Sequence, residues 1–194
     1  MKLDRQASHV EGNRMNRLNL GAGNARPEGW VNADKRGEDV ALVDIADARS
    51  VDWLLDDYDE FDEIVADHLL SCFSHSDLVK VVLPNILRLL RPGGVLRVLV
   101  PDARKAAMAL LRDDAAHFPL GDDLPTTDER FCTFLPWFGE SLSIFTPLYL
   151  SKLLYASGFT AVAYAQHHHS PLGSDSITDL DDREGHSFVM EARR

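Results

Sequence analysis

The sequence predicts an α/β domain built on a mostly parallel sheet. Three observations predict it. Short apolar runs alternate with segments of helical spacing from Arg17 to Ala192, the order in which strands and crossover helices follow one another. The clearest strand, Val95 to Val100, is apolar almost throughout, which suits a parallel strand covered on both faces. Four of the runs end in an acid, and the first ends in a glycine turn.

Arg17-Leu18-Asn19-Leu20 is a short strand stopped by Gly21-Ala22-Gly23-Asn24. Pro27-Glu28-Gly29 turns the chain into a second strand, Trp30 to Asp34, and Val40 to Val43 forms a third before Asp44. Val51, Leu54 and Leu55 give helical spacing between Val51 and Asp57. Phe61 to Asp67 is the fourth strand. A helix follows over 77–90, with Ser76 and Asp77 as N-cap oxygens and a kink or a break expected at Pro84. Arg91-Pro92-Gly93-Gly94 ends it in a glycine turn before the 95–100 strand. Ala103 to Asp114 reads as a helix, with Asp102 as its cap. Residues 117–145 show no clean period and are expected to form a loop-rich lid or substrate insertion. Thr146-Pro147 starts a helix that Gly158 stops. Phe159 to His167 and Ser187 to Ala192 are the last two strands, joined by an aspartate-rich segment.

With 194 residues, 45% of them hydrophobic, the chain fits one domain over 15–194 behind a polar tail, 1–14, expected to be flexible. A net charge of -11, from 31 acidic and 20 basic residues, disfavours a nucleic-acid partner. No run approaches the roughly 18 apolar residues of a membrane span, and no signal-like segment opens the chain. Two cysteines, Cys72 and Cys132, suggest reduced thiols, read as buried small hydrophobes in a cytoplasmic protein. Monomer and homodimer are equally compatible with this composition.

In a parallel sheet, ligands bind beyond the carboxyl ends of the strands. The chemistry-bearing residues are therefore Gly21 to Asn24, Asp34, Asp44, Asp67-His68 and Asp102. A glycine turn lets a ligand approach the backbone where a Cβ would block it. An acid after the second strand can accept from both hydroxyls of a ribose, and one after the third can accept from an exocyclic amine. His167-His168-His169 does not read as a metal site, because neighbours on a strand point to opposite faces and no partner ligand has metal spacing; no metal is expected. Trp137, Phe138, Phe131 and Phe134 either anchor the 117–145 segment to the core or shape a substrate pocket.

At these residues the chain resembles the class I S-adenosylmethionine-dependent methyltransferases, particularly their small bacterial members, from Leu18 to about Ala192. The matching pieces are Leu-Asn-Leu-Gly-Ala-Gly-Asn (18–24), Gly-Trp-Val-Asn-Ala-Asp (29–34) and Val-Asp-Ile (43–45), then Phe-Asp-Glu-Ile-Val-Ala-Asp-His-Leu-Leu (61–70), Leu-Arg-Pro-Gly-Gly-Val-Leu-Arg (90–97) and Phe-Thr-Pro with Leu-Leu-Tyr-Ala-Ser-Gly-Phe (145–159). The resemblance implies a Rossmann-like sheet of seven strands with an antiparallel C-terminal hairpin, helices on both faces and a shortened first helix. It implies S-adenosyl-L-methionine as cofactor. Gly21, Ala22, Gly23 and Asn24 would flank its methionine portion, Asp34 and Lys35 the ribose, Asp44 and Ile45 the adenine. Asp67, His68 and Leu69 would stand beside the methionine end. Where such relatives carry a Glu-His pair after the fourth strand, this chain has Ser71-Cys72.

Methyl transfer to a small-molecule or sugar acceptor is the activity that follows from the resemblance. If the acceptor must lose a proton, His68 is the expected base, because histidine titrates near neutral pH; Asp67, His75 and Asp102 are further candidates. Two other readings compete. A catalytically impaired cofactor-binding or interaction module would keep the fold without the chemistry. A nicotinamide oxidoreductase would need a third glycine and a helix at the turn, and Gly21 to Arg26 supplies neither.

Overall fold

The computed structural model describes residues 15–194. The expected tail, 1–14, lies outside the described residues. Seven strands, β1 (Arg17–Leu20), β2 (Val31–Asp34), β3 (Ala41–Leu42), β4 (Phe61–Asp67), β5 (Leu90–Pro101), β6 (Ala161–Ala165) and β7 (Ser187–Arg193), form one sheet in the order β3-β2-β1-β4-β5-β7-β6. The first five pair in parallel, and β7 runs antiparallel to both β5 and β6. The order reverses at β1, and β4 leaves its other side. The carboxyl ends of β1, β2 and β4 therefore meet at one edge.

The pleat divides the side chains into two layers. Leu18, Leu20, Ile64, Ala66, Leu96, Val98, Phe188 and Met190 face the larger core. Against them pack α1 (Ala48–Tyr58), a helical run from His75 to Leu89, and α6 (Pro147–Ala156). The helical cover is unequal. On the opposite face, Val65, Val95, Leu99 and Val189 meet Trp30, Leu172, Leu180 and Ile177, the last on the 3-10 turn Asp175–Thr178. Ten residues separate β1 from β2 in sequence, too few for the crossover helix that would normally lie there. The aspartate-rich β6–β7 connection covers that face instead.

This second face carries buried charge. Arg97 and Glu191 are fully buried, and Glu63 is 1% exposed. Arg97 pairs with Asp181 and Glu191 and donates to the carbonyls of Gln166 and His169. Glu63 accepts from the Ser174 amide and hydroxyl and from Arg17, and Glu191 accepts the Leu172 amide. Each ion is thus satisfied in the way burial demands.

Several local outcomes differ from the sequence reading. The helix expected over 77–90 begins at His75, because Ser74 rather than Ser76 or Asp77 is its N-cap and accepts the Asp77 amide. The run divides just before Pro84. A π-turn, Leu78–Val82, precedes it, with the Leu83 amide donating to the Leu78 carbonyl. Pro84 then falls in the first turn of α3 (Leu83–Leu89), where no amide is needed. The Arg91–Gly94 turn is drawn into β5 as a bulge, since Phe61 pairs with Leu90 and Glu63 already with Val95. Asp102 caps α4 (Ala103–Leu111), accepting the Arg104 and Lys105 amides, as expected. Residues 117–145 contain a helix that periodicity did not reveal, α5 (Thr127–Phe134), started by a capping box between Thr126 and Glu129. The β6 strand ends at Ala165, so the three histidines lie in a turn beyond it.

Candidate functional site

Beyond the strand ends, the first glycine turn is tied to the second strand. The Gly21 and Ala22 amides both donate to the Ala33 carbonyl, at 2.8 and 3.0 Å, and the Gly23 amide donates to Asp34 Oδ2 at 2.9 Å. Both glycines have positive φ, 77° and 51°. They differ in surroundings. A Cβ on Gly21 would lie 3.0 Å from Leu69 Cδ1, whereas one on Gly23 would meet nothing within 4 Å. Gly21 is small so that β1 can close on the turn after β4; Gly23 opens onto free space.

Asp34 receives the Arg36 amide on its other oxygen. Asp44 is held by the Ala46 amide and by Lys35, 2.8 Å away, and its hydrogen bond with Lys35 draws its pKa below the ordinary value. Asn24 and Lys35 are exposed, and Ala22 is buried. Ile45 departs from the expected role: its side chain belongs to the core, and its carbonyl accepts from Asn85 Nδ2. Leu69 packs at the core margin beneath Gly21.

Asp67 and His68 carry the strongest electrostatic perturbations. Burial, reinforced by the neighbouring Asp182 carboxylate, pushes Asp67 up to about 7. Its Oδ1 is buried with no hydrogen-bond partner. His68 has a left-handed backbone, φ 52°, fixed by its amide on the Leu99 carbonyl, and its Nε2 lies 2.7 Å from Ser187 Oγ. Burial, with the Arg183 cation nearby, pushes His68 down to about 3. The near-neutral titration expected of His68 is therefore overturned by desolvation, and it moves instead to Asp67. His68 Nε2 stands 3.8 Å from Asp67 Oδ1, but a neutral imidazole makes no ion pair there. One ligand atom each from Asp67, His68 and Asp182 falls within 4.8 Å of the others. With Nε2 given to Ser187, we read this trio as a raised Asp67 carboxyl beside the Asp182 carboxylate and a neutral imidazole.

A cavity of about 410 Å³ opens at His68. Ser71 and Cys72 form its floor, Pro101 and Pro119 one side, and Phe134, Trp137 and Glu140 come from the 117–145 segment. Arg183 and His186 enter from the β6–β7 connection. Cys72 and Cys132 are both exposed and unpaired, against the expectation of burial: Cys72 sits on the cavity, and its thiol is pushed up by burial and the Glu140 charge. Of the four aromatics, Phe134 and Trp137 line the cavity, Phe131 packs under α4, and Phe138 is exposed. None of His167, His168 and His169 lines it. Sequence reasoning missed Asp182, Arg183 and His186, which lie in a polar connection with no periodicity.

No known family model matches the chain, and no curated protein matches its sequence. Solved structures do. A S-adenosylmethionine-dependent methyltransferase from Archaeoglobus fulgidus superposes with a TM-score of 0.54 at 11% identity, over 94% of this chain and 87% of that one. An O-methyltransferase family protein from Burkholderia thailandensis superposes with a TM-score of 0.53 at 13% identity, over 93% of this chain. The pyocyanin biosynthetic protein PhzM gives 0.50 at 14% identity, again over 93%. The chain spans about half the length of these last two, 51% and 50%. No helix among the described residues is long and apolar enough to cross a membrane. Seven strands in the order 3-2-1-4-5-7-6, the last pair antiparallel, give this chain the fold of the class I S-adenosylmethionine-dependent methyltransferases.

Proposed function

We propose that the chain binds S-adenosylmethionine across the ends of β1, β2 and β4 and methylates a small molecule seated in the adjoining cavity. The observation that carries this reading is the pairing of an open glycine turn with an acid. Gly23 faces free space and donates to the carboxylate of Asp34, a residue that is half-buried at the end of β2. Gly21 to Asn24 would hold the methionine portion, Asp34 and Lys35 the ribose, and Asp44 with the Ile45 backbone the adenine. Bound there, the cofactor would supply an activated methyl group.

The protein's own contribution is alignment, exclusion of water and management of a proton. The 117–145 segment closes one side of the cavity and acts as its lid. His68, lining the cavity, positions the acceptor through a neutral ring. Asp67 is its neighbour in the chain and, near pH 7, holds or releases a proton. A hydroxyl or ammonium acceptor would deliver its proton to that carboxylate.

Calorimetry on the full chain with S-adenosylmethionine, S-adenosylhomocysteine and NAD tests the reading. Micromolar binding of the first two, lost in Asp34→Ala, is expected. Binding of NAD with no response to S-adenosylhomocysteine would refute it. Cofactor binding without methyl transfer to any extract component would leave a binding module.

A further inference from the structure

We infer that the acceptor is an aromatic acid: a planar ring that packs against Trp137 and Phe134 and carries a carboxylate met by Arg183. This rests on the methyltransferase reading and names its substrate class.

The walls point to a ring. Phe134 and Trp137 meet edge to face, with centroids 6.2 Å apart, and the His186 ring lies 6.2 Å from Phe134. Such an arrangement leaves ring faces and edges for a further aromatic partner. The cavity volume, about 410 Å³, falls in the range of small-molecule sites and leaves room for one or two fused rings rather than a polymer.

Trp137 is also held there against its backbone preference. Trp137, Phe138 and Gly139 have consecutive positive φ values of 43°, 56° and 93°. Left-handed conformation costs roughly 1–2 kcal/mol per non-glycine residue. Strain of this kind persists at sites where the placement of a side chain matters.

The charge points to an anion. Among the residues lining the cavity, Arg183 is the only full cation, because burial keeps His68 and His186 neutral. Its side chain is about half exposed, and its one ion-pair partner is the adjacent Asp182 at 3.3 Å. Its backbone is locked: φ is 54°, and its carbonyl accepts the amides of His186 and Ser187, each at 3.0 Å. Glu140 is the lone lining carboxylate. An acid entering with its carboxylate toward Arg183 would set its ring against Trp137. His186 Nδ1, buried with no partner, offers one more polar contact on the Arg183 side.

Calorimetry on the full chain saturated with S-adenosylhomocysteine tests this with four probes. 3,4-Dihydroxybenzoate is expected to bind at least about tenfold more tightly than catechol, tyramine or cyclohexanecarboxylate, the gain of one charge-assisted contact. Arg183→Met should abolish the preference over catechol while leaving S-adenosylhomocysteine affinity unchanged, which also shows that the variant folds. Trp137→Ala should weaken 3,4-dihydroxybenzoate about tenfold and the other two aromatic probes alike. Glu140→Gln, which removes the one carboxylate of the lining, should tighten the ring acid two- to threefold or more. Equal binding of catechol or tyramine, an unchanged preference in Arg183→Met, or no binding of the ring acid overturns the inference. Failure of S-adenosylhomocysteine to bind at all would instead remove the methyltransferase reading.

Discussion

The Arg97 guanidinium grips both oxygens of the Asp181 carboxylate, Nε to Oδ1 at 2.7 Å and Nη2 to Oδ2 at 2.5 Å, and neither side chain is exposed to solvent. Asp181 Oδ2 also accepts the His168 amide, and Glu191 takes the remaining Arg97 nitrogen. One arginine in the middle of β5 thereby pins the β6–β7 connection to the sheet at both ends. The residues that follow Asp181 are Asp182, which raises Asp67, and Arg183, which enters the cavity. A structural ion cluster on the helix-poor face thus sets the electrostatics of the candidate site.

Asp181→Ala should therefore be costly. It leaves two Arg97 nitrogens buried without their carboxylate, with Glu191 the one acid still on the guanidinium, a change worth about 3–5 kcal/mol of stability. Urea denaturation would show the shift in midpoint, and hydrogen exchange should rise first across residues 166–186. If the urea midpoint of the variant matched that of the parent chain, the cluster would contribute nothing, and the connection would be held by its apolar contacts alone. Adding Arg97→Met to the same chain should deepen the loss, because Glu191 is then a buried carboxylate with no cation.

The strand ends were legible in sequence because each strand announces itself by an apolar run, and parallel topology gathers their carboxyl ends without further information. Gly21, Asp34 and Asp67 were found in this way. The Arg97–Asp181 pair was not, because it joins residues 84 apart and nothing local in either segment selects the other. The helix α5 had its start signal in Thr126 and Glu129, but eight residues are too few for apolar spacing to stand out. The opposite shifts of Asp67 and His68 depend on burial beneath that same connection, which residue type alone does not show.

The two glycines of the turn should respond differently. Gly21→Ala forces a Cβ to 3.0 Å from Leu69 at a positive φ, and both stability and S-adenosylhomocysteine affinity should fall. Gly23→Ala meets no protein atom and carries the cost of its φ, about 1 kcal/mol. Its affinity should nonetheless drop tenfold or more, because the added methyl occupies the space assigned to the cofactor. Thermal denaturation alongside calorimetry separates the effects; undiminished affinity in Gly23→Ala would move the cofactor away from this turn.

His68→Asn keeps a side chain that tolerates the left-handed backbone and removes the ring from the cavity. Once an acceptor is identified, its kcat should fall about tenfold or more while S-adenosylhomocysteine affinity changes little. Asp67→Asn should flatten the rise of kcat through about pH 7, since the proton it would take has nowhere to go. A pH profile unchanged in Asp67→Asn would return the proton to solvent.

The same two residues make opposing contributions to stability. Asp67 is raised from 3.8 to about 7, so between those values the folded chain binds more protons than the unfolded one, and stability falls as pH rises. His68 is lowered from 6.5 to about 3, so the folded chain binds fewer protons across that window, and stability rises with pH. In the parent chain the slopes largely cancel between about pH 4 and pH 6.5. Asp67→Asn removes the falling limb, and its stability should climb toward neutral pH. His68→Asn removes the rising limb, and its stability should decline over the same range. Each deviation is on the order of 2 kcal/mol, reduced from the full shift because both side chains keep some contact with water. Urea midpoints followed from about pH 4 to pH 8 would resolve them, and parallel curves for the two variants would mean that Asp67 and His68 form an ion pair after all.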